Sequence, residues 1–174
     1  MILSGLQIIK FRDAKRLVIE PFDSQYVEPN SYAFHLGEII ISYEEEVVDV
    51  NNMHHPRTTK IVIPETGMVL HPGKFYLGHT VEKIGGLDVT SELFANLSTA
   101  AMGMWVQTSA PLGHVGAVIR WTLEICVAQK VRVYPRMRLG KICFWENLGD
   151  ISPYRGRYAE SNSVVASRIS MDAR

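Results

Sequence analysis

One carboxylate stands in an otherwise uncharged stretch of this chain. Glu124 lies in the run from Trp121 to Val127, whose other members are apolar residues, a threonine and a cysteine. In a strand, Thr122, Glu124 and Cys126 would point to one face and the residues between them to the other. Because an unpaired buried carboxylate costs free energy, Glu124 is either half of an ion pair or a group with a function. The pattern alone leaves both interpretations open.

An arginine and a histidine pair are further candidates for chemistry. Arg120 stands four residues before Glu124 and would share its face of a strand, either as a cation near a site or as a plain surface arginine. His54 and His55 lie in a polar stretch that offers no carboxylate or cysteine at ligand-like spacing. We therefore interpret this histidine pair as part of a solvated loop rather than as a metal site.

The composition indicates one neutral globular domain. Its 174 residues are 47% hydrophobic, which allows a sizeable core. Eighteen Lys and Arg residues balance 18 Asp and Glu residues, so the chain lacks the basic footprint of a DNA or RNA binder. No window approaches the ~20 apolar residues of a membrane span, and residues 1–4 do not open a secretory signal. We expect a cytoplasmic protein without a membrane partner.

Short strands separated by glycine and proline turns dominate the pattern. Ser4, followed three residues later by Gln7, predicts a capped helix over residues 5–11. Most of the remaining chain predicts an all-β barrel or sandwich. Its extended runs cover 17–19, 32–36, 39–41, 61–63, 68–70, 75–81, 105–108, 118–127, 131–134 and 142–145.

Three more local expectations follow from the sequence. Residues 87–97 predict a short helix or turn that Asp88 or Thr90 could cap. Cys126 and Cys143 do not make a disulfide scaffold and are expected to be reduced thiols buried in neighbouring strands. The polar tail from about residue 154 is expected to be mobile in the absence of a partner.

The chain carries Ile19–Phe22, Ser31–Gly37, Leu70–Glu82 and Thr122–Glu124 in this order. This order of motifs resembles the dCTP deaminase branch of the trimeric dUTPase superfamily. Ser31–Gly37 is similar to the family's S-Y-D-L-R-L-G, with His35 at the arginine position. Leu70–Glu82 is similar to its L-x-P-G-x-F-x-L-(x)-x-T-x-E, and Thr122–Glu124 to its T-L-E. The other matching segments are Met1–Gly5, Ile19–Phe22, Gln25, Pro29–Tyr32, Tyr134–Gly140 and Val165–Ile169.

The resemblance covers nearly the whole chain and implies a single domain over residues 1–174. It implies a distorted β-barrel of the dUTPase-like, β-clip type, assembled as a homotrimer with active sites between subunits. A flexible C-terminal tail would reach those sites. The implied activity is hydrolysis of the 4-amino group of dCTP without zinc, with no tightly bound cofactor and with magnesium accompanying the phosphates. Some relatives also remove pyrophosphate.

The resemblance also implies roles for individual residues. The H-x-E…P-C-x-x-C pattern of zinc deaminases is absent from the sequence, so a carboxylate would have to move the protons. Glu124 matches the family's catalytic glutamate and Ser98 a supporting catalytic serine. The substrate-binding candidates are Asn96, Ala110, His114, Arg120, Trp121, Tyr154, Arg157 and Arg168.

The family's phosphate-gripping segment, close to G-[KR]-S-S-x-[AG]-R-x-G-L, is altered here. Asn96, Leu97 and Ala101 replace its basic residue, its first serine and its arginine, and His114 falls at the position of an aspartate that meets the sugar hydroxyl. These losses keep a second hypothesis open, a non-catalytic nucleotide-binding or scaffold protein. A third, diphosphohydrolase action of the dUTPase type, has the least support.

Overall fold

The computed structural model describes residues 1–49, 56–106 and 109–169. Its helices are α1 (Gly5–Asp13) and α2 (Leu97–Ala101), and a 3-10 turn covers Ser24–Tyr26. Ser4 caps α1, since its side chain accepts the Gln7 amide hydrogen bond at 3.4 Å, as predicted. The strands are β1 (Leu17–Glu20), β2 (Tyr32–His35), β3 (Ile39–Tyr43), β4 (Thr58–Val62), β5 (Met68–Leu70), β6 (Tyr76–His79), β7 (Lys83–Gly86), β8 (Val89–Ala95), β9 (Met104–Val106), β10 (Leu112–Gly113), β11 (Thr122–Val127), β12 (Val131–Val133) and β13 (Arg138–Glu146).

The strands form two main antiparallel sheets and two smaller pairs. One sheet has the order β10-β8-β13-β2, the other β4-β3-β6-β11-β9, and the pairs are β1-β7 and β12-β5. Both main sheets contribute fully buried side chains to one hydrophobic cluster, including Phe34, Leu93 and Phe144 from the first and Ile40, Leu123 and Ile125 from the second. The prediction of an all-β fold with short helices is confirmed.

The strand that carries Glu124 is an inner strand of the five-stranded sheet. β11 pairs with β6 on one side and β9 on the other, and Glu124 lies opposite Leu77. Burial alternates along it as predicted: Leu123 and Ile125 are fully buried, whereas Glu124 and its neighbours on that face are half-buried. Packing of the inward residues therefore fixes the direction of the Glu124 side chain.

The prediction of a helix or turn over residues 87–97 is wrong. This segment forms β8, which pairs with β13 along seven residues from Val89 to Ala95. Asp88 caps no helix, since its carboxylate binds Arg16 at 2.6 Å, and the Thr90 hydroxyl donates to Asn147. Pairing with β13, which lies about fifty residues further along the chain, makes this segment a strand. A local sequence pattern contains no information about that pairing.

The cysteine prediction is confirmed in one part and wrong in another. Cys126 and Cys143 are both free thiols, but Cys126 is only half-buried. The two lie on β11 and β13, which belong to different sheets rather than being neighbours. His54 and His55 lie outside the described residues. Within the described part of the chain, no helix is long and apolar enough to cross a membrane.

Candidate active site

Glu124 opens onto a cavity of about 390 Å³ on the outer face of the five-stranded sheet. Its side chain is half-buried, and its Oε2 accepts a hydrogen bond from the backbone N–H of Ser109 at 3.2 Å. No lysine or arginine among the described residues forms an ion pair with it. Glu124 therefore faces space that a ligand could occupy rather than a closed salt bridge.

The walls of this cavity are mostly apolar and aromatic. Trp121 forms one wall, and its ring is held by a 2.8 Å hydrogen bond from its Nε1 to the Ile84 carbonyl. Tyr43 and Phe75 form another side of the cavity, where their rings stack with the ring centroids 6.4 Å apart. Among the described lining residues there is no lysine or arginine. Such a lining suits a neutral ring better than a string of phosphates. The remaining lining residues are Leu77, Ala110, Leu112, His114, Ala117, Ile119, Thr122, Tyr154, Tyr158, Ser161, Val165, Ala166 and Ser167.

His114 and Tyr154 form a stacked pair where the C-terminal tail begins. Their ring centroids lie 5.5 Å apart with an angle of 21° between the planes. The Tyr154 amide also donates to the Val115 carbonyl at 2.7 Å. His114 thus contacts the tail directly, and the pair forms one side of the cavity.

The tail itself lies across the face that carries Glu124. The Val165 amide donates to the Thr122 hydroxyl at 3.0 Å, and the Ser167 amide donates to the Tyr43 hydroxyl at 3.0 Å. Thr122 is the next residue on the same face of β11 as Glu124. The cavity is therefore closed on one side by main chain that sheet side chains hold in place. The expected mobility of the tail stays a prediction.

A second cavity, of about 780 Å³, is built by the tail alone. Three arginines line it, Arg155, Arg157 and Arg168, and it shares Tyr154, Ser161 and Val165 with the Glu124 cavity. Arg157 donates to the Arg168 carbonyl at 2.6 Å, Arg168 donates back to the Arg157 carbonyl, and the Arg168 guanidinium lies over the Tyr158 ring. Glu160 is the one acidic residue among its described lining. A cavity whose described lining carries one carboxylate and no lysine or arginine thus adjoins a cationic one.

Most of the residues predicted from sequence lie in these two cavities. Glu124, Ala110, His114, Trp121 and Tyr154 line the first, and Tyr154, Arg157 and Arg168 line the second.

Three predicted residues line neither cavity. Ser98 is exposed on α2, and Asn96 is the residue that precedes α2. The Arg120 side chain is exposed, and its backbone amide donates to the Ser161 carbonyl at 3.1 Å. The chain as one copy thus assembles the carboxylate, the aromatic walls and the tail, and leaves Ser98 and Asn96 apart from them.

Sequence reasoning did not find Tyr43, Phe75, Arg155 or the amide of Ser109. Tyr43 lies on β3, which pairs with β6, and no motif marks it. Phe75 is the phenylalanine of the motif at Leu70–Glu82, but that motif gave it no role in a site. Arg155 stands beside the predicted Arg157 in a run of tail cations, which was the available signal. A backbone amide carries no residue-type signal at all.

A buried histidine lies beside the site without entering it. His79 on β6 is opposite Thr122, and its Nδ1 lies 2.9 Å from the Thr80 carbonyl, whereas its Nε2 is buried without a hydrogen-bond partner. Burial lowers the pKa of His79, and the Arg120 and Lys60 charges lower that pKa further. The imidazole is therefore neutral at pH 7.

The described residues contain no group of three or more His, Cys, Asp or Glu side chains arranged to hold a metal ion. The two cavities offer a metal only Glu124 and His114 in one and Glu160 in the other. The prediction that magnesium comes with the nucleotide phosphates stays a prediction.

The fold is similar to that of a solved 2'-deoxycytidine 5'-triphosphate deaminase from Agrobacterium tumefaciens. The TM-score is 0.63 at 19% identity, over 82% of this chain. This chain spans 47% of the chain in that structure. At this identity the similarity defines the fold class alone.

The sequence defines the family. The model of the dCTP deaminase-like family matches residues 2–147, and the chain belongs to this family. A "dCTP deaminase, dUMP-forming" from Clostridium beijerinckii is 34% identical over 174 residues, 99% of this chain and 98% of that protein. A "dCTP deaminase" from Rhodopirellula baltica is 37% identical over 169 residues, 96% of this chain and 83% of that protein. The family named from the sequence motifs is confirmed.

Proposed function

We propose that this protein hydrolyses the 4-amino group of dCTP and that Glu124 is the general base. The observation that carries the proposal is the half-buried Glu124 carboxylate, unpaired with any described cation, at the wall of an apolar cavity large enough for a pyrimidine ring. The proposal is also supported by two relatives named as dCTP deaminases, of which the one from Clostridium beijerinckii matches this chain over nearly the full length of both.

The reaction needs one water and returns one ammonia. Glu124 takes a proton from the water as its oxygen bonds to C4 of the cytosine. The resulting tetrahedral carbon carries both the new hydroxyl and the amine. During the attack the C4=N3 electron pair moves to N3, and the protonated Glu124 gives its proton to N3. Glu124 then carries the hydroxyl proton to the amine, the bond between C4 and the amine breaks, and ammonia leaves as C4 becomes a carbonyl. One carboxylate thus serves first as base and then as acid.

The two adjoining cavities suggest how the nucleotide is oriented. We propose that the cytosine ring enters the cavity lined by Glu124 and that the phosphates extend towards Arg155, Arg157 and Arg168 in the second cavity. Guanidinium groups suit phosphate oxygens because their N–H groups form a planar, charged fork. Magnesium would arrive with the phosphates as part of the substrate.

We further propose that the chain acts as a homotrimer and that Ser98 serves a neighbouring copy. Large apolar side chains are exposed on and around α2: Leu97 (83%), Trp105 (46%), Met102 (41%) and Phe94 (38%). A cluster of this kind favours cover by another chain. Because Ser98 lies on that surface and apart from its own Glu124 cavity, a catalytic role for Ser98 requires a second copy.

A second candidate function is nucleotide binding without catalysis. It is favoured by Leu97 and Ala101, which leave α2 without the hydroxyl and the guanidinium that the family carries there. Retention of an unpaired Glu124 in a cavity favours the enzyme instead.

Ammonia release from dCTP with magnesium separates the two. We expect turnover by the wild type, a loss of about a thousand-fold or more in Glu124→Gln, and no change in Glu146→Gln, which alters an exposed carboxylate at the end of β13. Parallel assays with dCMP and cytidine test the need for the triphosphate, and chromatography of the product distinguishes dUTP from dUMP. Nucleotide binding without any ammonia release would favour the second candidate.

A further inference from the structure

The Glu124 carboxylate has one hydrogen bond from the described protein, and it comes from backbone. The Ser109 N–H donates to Oε2 at 3.2 Å, and no described residue donates to Oε1. Among the described residues, the two oxygens of the carboxylate are therefore not equivalent, since Oε2 has a donor and Oε1 has none.

The donor belongs to a segment that the other main sheet holds in place. Two residues after Ser109, the Pro111 carbonyl accepts the Leu93 amide at 3.0 Å, and Leu93 is a fully buried residue of β8. The segment then continues into β10, which pairs with β8 through Leu112 opposite Glu92. Glu124 stands on the five-stranded sheet, so its Oε2 is held by a group that the four-stranded sheet positions.

A main-chain donor suits this task for two physical reasons. A hydrogen bond to the charged form of a carboxylate favours that form, which is the form a general base needs before it takes a proton. An amide is also neutral, so it does not compensate the carboxylate as a lysine or arginine would. Glu124 can then accept a proton on Oε1 without breaking an ion pair.

We propose that the backbone N–H of Ser109 is the positioning group of Glu124, which holds Oε2 so that Oε1 faces the reacting water. This inference rests on the proposed deamination. The Ser109 hydroxyl has no part in it, so Ser109→Ala should behave like the wild type, and only replacements that remove the N–H should matter.

The sharpest test replaces the amide by an ester. Nonsense suppression with lactic acid at position 109 gives a chain that differs from Ser109→Ala only in an oxygen for the N–H. We expect kcat for ammonia release from dCTP to fall roughly ten-fold relative to Ser109→Ala, with KM nearly unchanged. Loss of kcat without loss of substrate binding is a result that a merely structural defect would not cause. Ser109→Pro, which also lacks the N–H, is a second variant.

A readout that needs no turnover accompanies the kinetics. In the wild type and in Ser109→Ala, the ¹⁵N and ¹H shifts of the residue 109 amide should differ from those in Glu124→Gln measured at the same pH, because the amide donates to the Glu124 carboxylate. An ester variant with the kcat of Ser109→Ala would overturn the inference while deamination by Glu124 stands. An amide signal that ignores Glu124 would overturn it as well. Absence of turnover in the wild type would overturn both proposals.

Discussion

Two segments that resemble family motifs have different surroundings in this fold. Strand β11, with its Thr-Leu-Glu sequence, packs one face into the core and presents Glu124 to a cavity. Helix α2 has five residues, of which only Thr99 is buried, and the Asn96 side chain before it makes no capping hydrogen bond. The core fixes the direction of Glu124, whereas little of this chain fixes the residues of α2. Of the two segments, α2 is thus the one that a single copy leaves mostly exposed.

This difference separates the residue proposed for catalysis from the residues proposed to bind the phosphates. Glu124 could not move without disturbing the fully buried Leu123 and Ile125 on either side of it. On α2, the side chains of Leu97 and Ala101 are exposed, so their identity matters little to the stability of the single chain. The proposed phosphate contacts lie instead on the tail, whose arginines line a separate cavity.

The largest expected effect comes from a matched pair of leucines. Leu123→Ala on β11 should lower the free energy of unfolding by about 2–5 kcal/mol, because it leaves a cavity beneath the site. Leu97→Ala on α2 removes the same atoms from a side chain that is 83% exposed and should change that free energy by less than about 0.5 kcal/mol. Urea denaturation of the unassembled chain measures both. Equal effects would contradict the contrast between the two segments.

The oligomeric state provides a second test of the difference between β11 and α2. Leu97→Asp places a charge in the exposed apolar surface around α2, and we expect it to dissociate the proposed trimer and to reduce ammonia release at least ten-fold. Sedimentation velocity reports the oligomer and the deaminase assay reports the activity. Leu6→Asp, at an exposed position of α1, is the control and should leave both unchanged. A fully active monomer would contradict the proposal that a neighbouring copy completes the site.

Smaller effects are expected where the tail meets the sheet. Tyr43→Phe and Thr122→Val remove the hydroxyls that accept the Ser167 and Val165 amides while keeping most of the shape. Loss of each hydrogen bond should weaken tail docking by about 1 kcal/mol and raise KM for dCTP several-fold. Tyr134→Phe, an exposed tyrosine on another surface, is the control. Unchanged KM in both variants would show that the tail is held by other contacts.

The smallest effect concerns pH. Because burial lowers the pKa of His79 in the folded chain, the unfolded chain binds a proton that the folded chain does not as pH falls below about 6.5. Stability should therefore fall from about pH 7.5 to about pH 5.5, and His79→Gln should remove part of that loss. Urea denaturation at both pH values measures it. An identical pH dependence in wild type and variant would contradict the assignment to His79.

Local periodicity predicted what depends on one strand or turn. The alternation around Glu124 gave the face of β11, and the Ser4–Gln7 pair gave the start of α1. Residues 87–97 were assigned wrongly, because the pairing of β8 with β13 decides their conformation. The cysteines were placed in neighbouring strands for the same reason, since sheet order is not local.

The site was predictable where a residue type and a motif coincide, as at Glu124 and His114. Tyr43 and the Ser109 amide enter it through tertiary contacts alone. The separation of Ser98 from the Glu124 cavity was equally invisible in the motif spacing, because α2 lies beyond β9 at the edge of the sheet.

The proposed deamination requires that the Glu124 carboxylate on β11 takes a proton from the water that replaces the amine. Reaction of dCTP in H₂¹⁸O, followed by mass spectrometry of the pyrimidine product, tests it most directly. The wild type should place one ¹⁸O at C4 of the uracil for each ammonia released, and folded Glu124→Gln should bind dCTP yet incorporate essentially none. Incorporation by Glu124→Gln at the wild-type rate would contradict the claim.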